Sequence, residues 1–241
     1  MTDRQAGILE ATDGGRVLMP LRSPSLVELA YRSIRDSILS GDLSMGTRLL
    51  DTRLAEELEV SRGTVRDALG RLVDEGLVDE RPRQGTFVRE FGPQDIIDIY
   101  NVRVAIEPIA ARLAVRHGVD VDRLEEILRR MRKAAEAGDV PTVSAMESAF
   151  HLEICEASRN QHLLDCYRMI QSRVRMALSL DNLANEDYSS IADRHEPILD
   201  ALRSGDEVGA AIAVHAHIVG HVDEVLDRLG ADPAGLITPA R

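Results

Sequence analysis

Of the seven histidines in this 241-residue chain, six fall beyond residue 150: His151, His162, His195, His215, His217 and His221. Glu147 precedes His151 by four positions, which places both side chains on one face of a helix, one turn apart. A carboxylate oxygen and an imidazole nitrogen so arranged can reach a single cation. His195 lies on the next helical segment but one and His217 on the last, so in an antiparallel bundle the three segments can surround one interior point. Imidazole-rich sets with one carboxylate suit Zn, Ni, Mn or Fe ions. Scattered histidines in a helical protein are also commonly surface groups or singly hydrogen-bonded ones, and spacing alone leaves both readings open. His221, one turn after His217, competes for the same point, whereas His215 is turned away from it. Cys155 reads as a small buried residue.

A second chemistry lies nearer the start of the chain. Ser61 is a good N-cap and Gly76 a natural stop, so a helix is expected between them. Val65, Ala68, Leu69, Leu72 and Val73 recur at three- and four-residue steps and must face a core, leaving Thr64, Arg66, Asp67, Gly70 and Arg71 outward. Arg62, Thr64 and Arg66 then crowd the N-terminal end. In a helix-turn-helix this end of the second helix meets base edges, and arginine forks match guanine O6 and N7. An ordinary solvated helix would carry the same charges.

The elements that position these groups are mostly helices. Alanine, leucine, arginine and glutamate dominate, tryptophan is absent and aromatics are scarce. Leu26, Leu29, Ala30, Ile34, Ile38 and Leu39 form an apolar stripe over Ser25 to Ser40, and Asp51 is placed to cap a short helix over TRLAEEL. Beyond Gly76, Leu77 to Glu80 and Thr86 to Arg89 alternate around RPRQG, as in a β-hairpin with Gly85 in its turn. Phe91-Gly92-Pro93 reads as a hinge. Six helical segments follow: Pro93 to His117, Asp120 to Ala137, Pro141 to Arg159, Gln161 to Asn182, Tyr188 to Ser204 and Asp206 to Leu229. Ile99, Val102, Ile106 and Ile109 are expected to face the bundle, with Arg103 beside them. The expected fold is mainly α. It has a tail over residues 1–20, a winged helix-turn-helix over 21–92, an antiparallel bundle over 93–230 and a second tail over 231–241.

The formal charge of −12 argues superficially against a polyanionic partner. Its excess acid lies mainly beyond residue 93, however, and DNA binding needs a local patch rather than a basic average. Two cysteines make no disulfide framework, and no apolar run has signal-peptide or membrane length. A cytoplasmic protein without a membrane partner is expected.

The strings SILSGDLSMGTRL, LAEELEVSRGTVRDAL, RLVDEGLV and RQGTFV, in this order and spacing, resemble the winged helix-turn-helix of the GntR family of bacterial transcription regulators. The resemblance spans Leu26 to Phe91. It implies that Ser61, Arg62, Thr64 and Arg66 belong to the DNA-reading end, with Arg83 and Gly85 at a wing tip in the minor groove. Many members carry arginine where this chain has Thr52, and Arg53 is the candidate to replace that contact. From about Asp95 to Leu229, ESAFHLEICEASRN and HEPILDALRSGDEVGAAIAVHAH are similar to the FCD effector domain of the FadR subgroup. That likeness implies Glu147, His151, His195 and His217 as ligands of a divalent metal, with Glu147 standing where aspartate is usual. It also implies that Arg103, in the element Arg103-Val-Ala-Ile-Glu107, enters the effector cavity and grips a carboxylate bidentately. Asn160 lines the cavity or caps the helix after it. Arg173 and Arg175 are weaker cavity candidates with a surface role as the alternative.

The expected function is that of a homodimeric repressor, not an enzyme, whose hold on double-stranded operator DNA a small carboxylate metabolite controls. The rival readings are a metal-dependent hydrolase, against which no H-E-x-x-H string occurs, and a regulator with a purely structural metal.

Overall fold

Ser25 sets the first helix: its hydroxyl accepts from the Glu28 N–H at 3.1 Å, and α1 runs Leu26–Leu39. The structure, a computed structural model, describes residues 24–184, 190–232 and 235–236. The expected tail over 1–20 and most of that over 231–241 lie outside them. After α1 come β1 (Arg48–Leu49), α2 (Asp51–Glu57), α3 (Arg62–Glu75), β2 (Val78–Arg81) and β3 (Gly85–Val88). The strands form an antiparallel sheet in the order β1-β3-β2, with Val78 opposite Val88 and Arg81 opposite Gly85. Arg83 at φ 64° and Gly85 at φ 111° turn the hairpin. The two-residue β1 was not expected, because it is too short to show alternation. Leu50, not Asp51, caps α2. The Asp51 carboxylate is drawn instead to Arg66, with Oδ2 2.8 Å from Nε.

Ile34, Ile38 and Leu39 pack on Val65, Ala68 and Leu72 to make the core of this first unit, with Leu77 and Val88 beneath. Leu26 and Leu29 of the expected stripe are exposed.

The second unit contains α4 (Pro93–His117), α5 (Val121–Glu136), α6 (Val140–Ala157), α7 (Gln161–Ala184), a 3₁₀ turn at Asp193–His195, α8 (Glu196–Ser204) and α9 (Glu207–Leu229). Asp120, Asp139 and Asp206 cap α5, α6 and α9 with their carboxylates, while Gly118 and Gly205 end α4 and α8. The single helix expected from Tyr188 to Ser204 is corrected. Residues 185–189 lie outside the description, and α8 begins at Glu196 because Pro197, lacking an N–H, fits only its first turn.

α4 and α9 run antiparallel side by side, joined at one end by Arg116 and Glu207 at 2.6 Å and at the other by Asn101 donating to the Gly235 carbonyl. The face of α4 that they enclose differs from expectation. Ile96, Ile99, Tyr100, Arg103, Glu107 and Ala110 are buried, whereas Val102 is 39% and Ile109 54% exposed. The apolar positions Val102 and Ile109 give way to the polar pair Arg103 and Glu107, which points inward. Among the described residues no helix is long and apolar enough to cross a membrane.

Candidate functional site

Three helical elements deliver one imidazole each to a common point inside the bundle: His151 from α6, His195 from the end of the 3₁₀ turn and His217 from α9. One nitrogen from each lies within 4.8 Å of the others. His151 Nε2 and His217 Nε2 are 3.3 Å apart. Every opposite ring nitrogen faces an oxygen. His195 Nδ1 donates to the Ile191 carbonyl at 2.9 Å and His217 Nδ1 to the Arg194 carbonyl at 3.3 Å. His151 Nδ1 lies 2.7 Å from Glu107 Oε2. Carbonyl and carboxylate oxygens only accept, so these neighbours favour the tautomer with the proton on Nδ1 and the lone pair on Nε2.

In that tautomer the Nε2 lone pairs face one another and suit a cation between them; without one, a proton on His151 or His217 Nε2 can bridge that pair. His195 Nε2 is buried without a hydrogen-bond partner among the described residues. Two imidazole nitrogens on a tetrahedral ion, at about 2.0–2.1 Å each, stand roughly 3.3–3.4 Å apart; the His151–His217 separation matches. Burial, then the neighbouring imidazoles, holds His195 and His217 well below the ordinary histidine range. Burial also lowers His151 against the opposing pull of Glu107. Neutral imidazole is the ligating form, so the residues present fit a divalent metal.

Behind His151 stands a second pair. Arg103 Nε donates to Glu107 Oε1 at 2.6 Å, with both side chains at most 2% exposed. Burial works to raise the Glu107 carboxyl, but Arg103 and His151 outweigh it and bring it down to about 2. The Arg103 guanidinium also lies 5.0 Å from the Tyr100 ring centroid. Arg103 Nη2 makes no well-formed hydrogen bond among the described residues, and the Tyr100 hydroxyl interacts only loosely with the same guanidinium. Arg103 Nη2 therefore remains available to an anion.

On the first unit, Ser61 Oγ accepts from the Thr64 N–H at 3.0 Å and fixes the start of α3. Arg62 and Arg66 are 57% and 66% exposed, and both reach Asp51 Oδ2, at 3.4 and 2.8 Å. Arg66 and Gly85 line one groove between α3 and the hairpin, together with Arg48 and Thr86. Arg83 is exposed at the hairpin tip. Arg53 is exposed on α2, where it pairs with Glu57 at 2.7 Å.

Comparison with known proteins decides the family. Residues 26–88 match the model of bacterial regulatory proteins of the gntR family, and residues 98–220 match the FCD domain, about half of the chain. The chain belongs to the GntR family, with an FCD domain. It is 31% identical over 194 residues to the Nta operon transcriptional regulator of Aminobacter aminovorans, covering 76% of this chain and 86% of that one. It is 29% identical over 242 residues to the putative L-lactate dehydrogenase operon regulatory protein of Escherichia coli K12, covering 90% and 92%. The fold of Escherichia coli McbR/YncC matches with a TM-score of 0.74 at 24% identity, covering 86% of this chain and all of that one. Like its relatives, this GntR-family chain is a transcription regulator, not an enzyme, and an FCD domain implies a small-molecule effector.

Within the FCD domain not every expected residue meets the histidines. Glu147 is buried on α6, one turn before His151, but does not join the three converging groups. Asn160 is exposed, and its Oδ1 accepts from the Leu163 N–H at 3.2 Å; the expected cavity role gives way to capping α7. His221 is buried and stacks on Tyr100, with centroids 5.8 Å apart, and burial brings its pKa down to about 3. Burial raises the Cys155 thiol, which makes it a packing residue. Arg173 turns away from the site toward α3. Glu107 was missed as a site residue. Its four-residue spacing from Arg103 is visible in the chain, but its contact with His151 depends on how α4 lies against α6.

Proposed function

We propose that the chain is a homodimeric repressor whose operator binding is controlled by a small carboxylate, bound beside a divalent cation held by His151, His195 and His217. Residues 21–92 would read DNA and residues 93–230 sense the effector. The observation that carries this reading is the convergence of one nitrogen from each of the three histidines, with an oxygen behind each ring. Zn, Ni, Mn and Fe ions all suit such a set, and the bound ion supplies a Lewis-acid anchor for an effector oxygen. Arg103 Nη2 gives the carboxylate its second anchor, and Glu107 keeps that guanidinium charged and aimed. Glu147 stays outside the ligand set.

At the other end, Arg62, Thr64 and Arg66 approach base edges in the major groove, Arg83 and Gly85 the minor groove, and Arg53 the backbone. Asp51 holds both reading guanidiniums at the start of α3 until bases or phosphates replace it. The outward faces of α4 and α9, with Ile109 and Ile212 at 54% and 62% exposure, favour a second copy of the chain as their cover. A two-fold dimer presents two α3 helices to a palindromic operator. The printed name of one relative, a probable D-xylose utilization operon transcriptional repressor of Paenarthrobacter nicotinovorans, supports the sign of control.

The test is operator binding by the full chain, using duplexes selected from a random library. Zn²⁺-loaded and chelated protein are titrated with the selected duplex in the presence of small mono-, di- and tricarboxylates. At least one carboxylate should weaken binding by roughly 5- to 150-fold, and only with metal present. Operator affinity indifferent to both metal and carboxylate would contradict the reading.

A further inference from the structure

α3 closes on a left-handed Gly76, whose N–H and that of Leu77 return to the Val73 and Leu72 carbonyls, but the charge at this end is unbalanced. Its last turn carries Asp74 and Glu75 and no basic residue, although the C-terminal end of a helix favours cations. The cation comes from the other domain: Arg173 of α7 donates through Nε to the Glu75 carbonyl at 3.1 Å. Gly76 makes room for it. A Cβ there would stand 2.3 Å from Arg173 Nε, and the residue's φ of 77° also favours glycine.

The Glu75 side chain ties the same junction. Its Oε1 accepts from Arg35 Nε of α1 at 2.8 Å and contacts the Ser172 hydroxyl, while Oε2 accepts from the Tyr31 hydroxyl at 2.9 Å. Arg35 Nη2 donates to Ser172 Oγ at 2.6 Å, closing a ring across the two domains. Met176, one turn further along α7, is buried in the core of the DNA-reading unit. In the opposite direction α7 meets the helix that carries His151: Gln171 Nε2 and the Tyr167 hydroxyl each lie 3.5 Å from an oxygen of Ser148 on α6.

From this we infer that Ser172 and Arg173 are positioning residues for DNA recognition: though they belong to the effector domain and lie at the far end of α3 from its reading residues, they fix how that helix is presented. With the latch closed, Arg62 and Arg66 are exposed and open to DNA. It also joins α3 to the element packed on the histidine helix by a contiguous series of contacts, so a change at the histidines has a physical route to the reading end.

The experiment measures affinity of the full chain for a duplex selected by the wild type, without added metal, in Arg173→Ala, Arg173→Lys and Glu75→Gln. Arg173→Ala should bind about tenfold more weakly, in the range of ordinary coupling between sites. Arg173→Lys should recover most of the loss, because an ammonium can still reach the Glu75 carbonyl. Should Arg173→Ala lower the helix content, Glu75→Gln, nearly isosteric with the wild type, decides by the same readout. Wild-type affinity in both Arg173→Ala and Glu75→Gln overturns the inference, as does a loss that Arg173→Lys leaves wholly unrestored. The inference rests on the regulator reading but fails separately from it. A wild type that ignores metal and carboxylate refutes control by the histidine site, whereas the Arg173 and Glu75 variants, compared without metal, still decide the latch.

Discussion

Glu107 of α4 lies 2.7 Å from His151 of α6, Oε2 to Nδ1, while its other oxygen is held by Arg103. One buried carboxylate thus serves two groups with different tasks. It fixes the tautomer and orientation of a candidate metal ligand, and it balances the charge of the arginine that is proposed to meet the effector.

Replacing Glu107 with Gln should show both services. Loss of an oxygen partner behind a ligating histidine costs about 10- to 100-fold in metal affinity, measurable by competition with a chromophoric chelator. The same change leaves Arg103 buried without its counter-charge, which should lower unfolding stability by roughly 3–5 kcal/mol in urea titrations. Wild-type metal affinity in a folded Glu107→Gln protein would remove the residue from the centre.

The buried histidines set an acid limit. In metal-free protein His221 is lowered to about 3, and His151, His195 and His217 are lowered too, against 6.5 for an ordinary histidine. Above pH 6.5 they are neutral in both folded and unfolded chains and stability does not respond to them. Below it the unfolded chain takes up protons that the folded chain refuses. Each histidine then withdraws about 1.4 kcal/mol per pH unit until its folded pKa is reached. The thermal midpoint of chelated protein should therefore fall steeply between pH 6.5 and 5. A flat profile there would show that these imidazoles are not buried neutral.

Arg66→Ala should weaken operator binding by roughly 1–3 kcal/mol if the guanidinium reads a base bidentately, with the loss confined to one base pair of each half-site. Binding assays against single-position operator variants separate this from a phosphate contact, which would weaken all sequences alike. Undiminished affinity would argue that Arg66 serves only its pair with Asp51.

The outward face of α4 and α9 can be tested by sedimentation. Ile109→Glu and Ile212→Glu place charges where a second copy is proposed to pack, so each should give a monomer. Operator affinity should then drop about a hundredfold or more with the loss of two-site binding. A dimer that survives both substitutions would place the interface elsewhere.

The helices were legible because their signals are local. Ser61 and Gly76 bound α3 within a residue, and Asp120 and Asp206 mark the starts of α5 and α9. The three histidines were legible as candidates because helical spacing and segment order are enough to bring them near one point. The facing of α4 was not, since a buried Arg103–Glu107 pair breaks the rule that charge points outward, and only its partners on other helices explain it. Asn160 offered two roles of equal standing until its contact with Leu163 N fixed one. The link from Arg173 to Glu75 depends on contact between residues 98 positions apart, for which no local pattern exists.

Control of DNA binding from the histidine site is a coupling between two ligands, and coupling is reciprocal. Calorimetric titration of the active carboxylate into Zn²⁺-loaded protein, with and without saturating operator duplex, measures it directly. Its dissociation constant should be raised at least about fivefold when operator is bound, by the same factor that the carboxylate weakens operator binding. Equal carboxylate affinity for the free and DNA-bound protein would contradict a metabolite-controlled regulator.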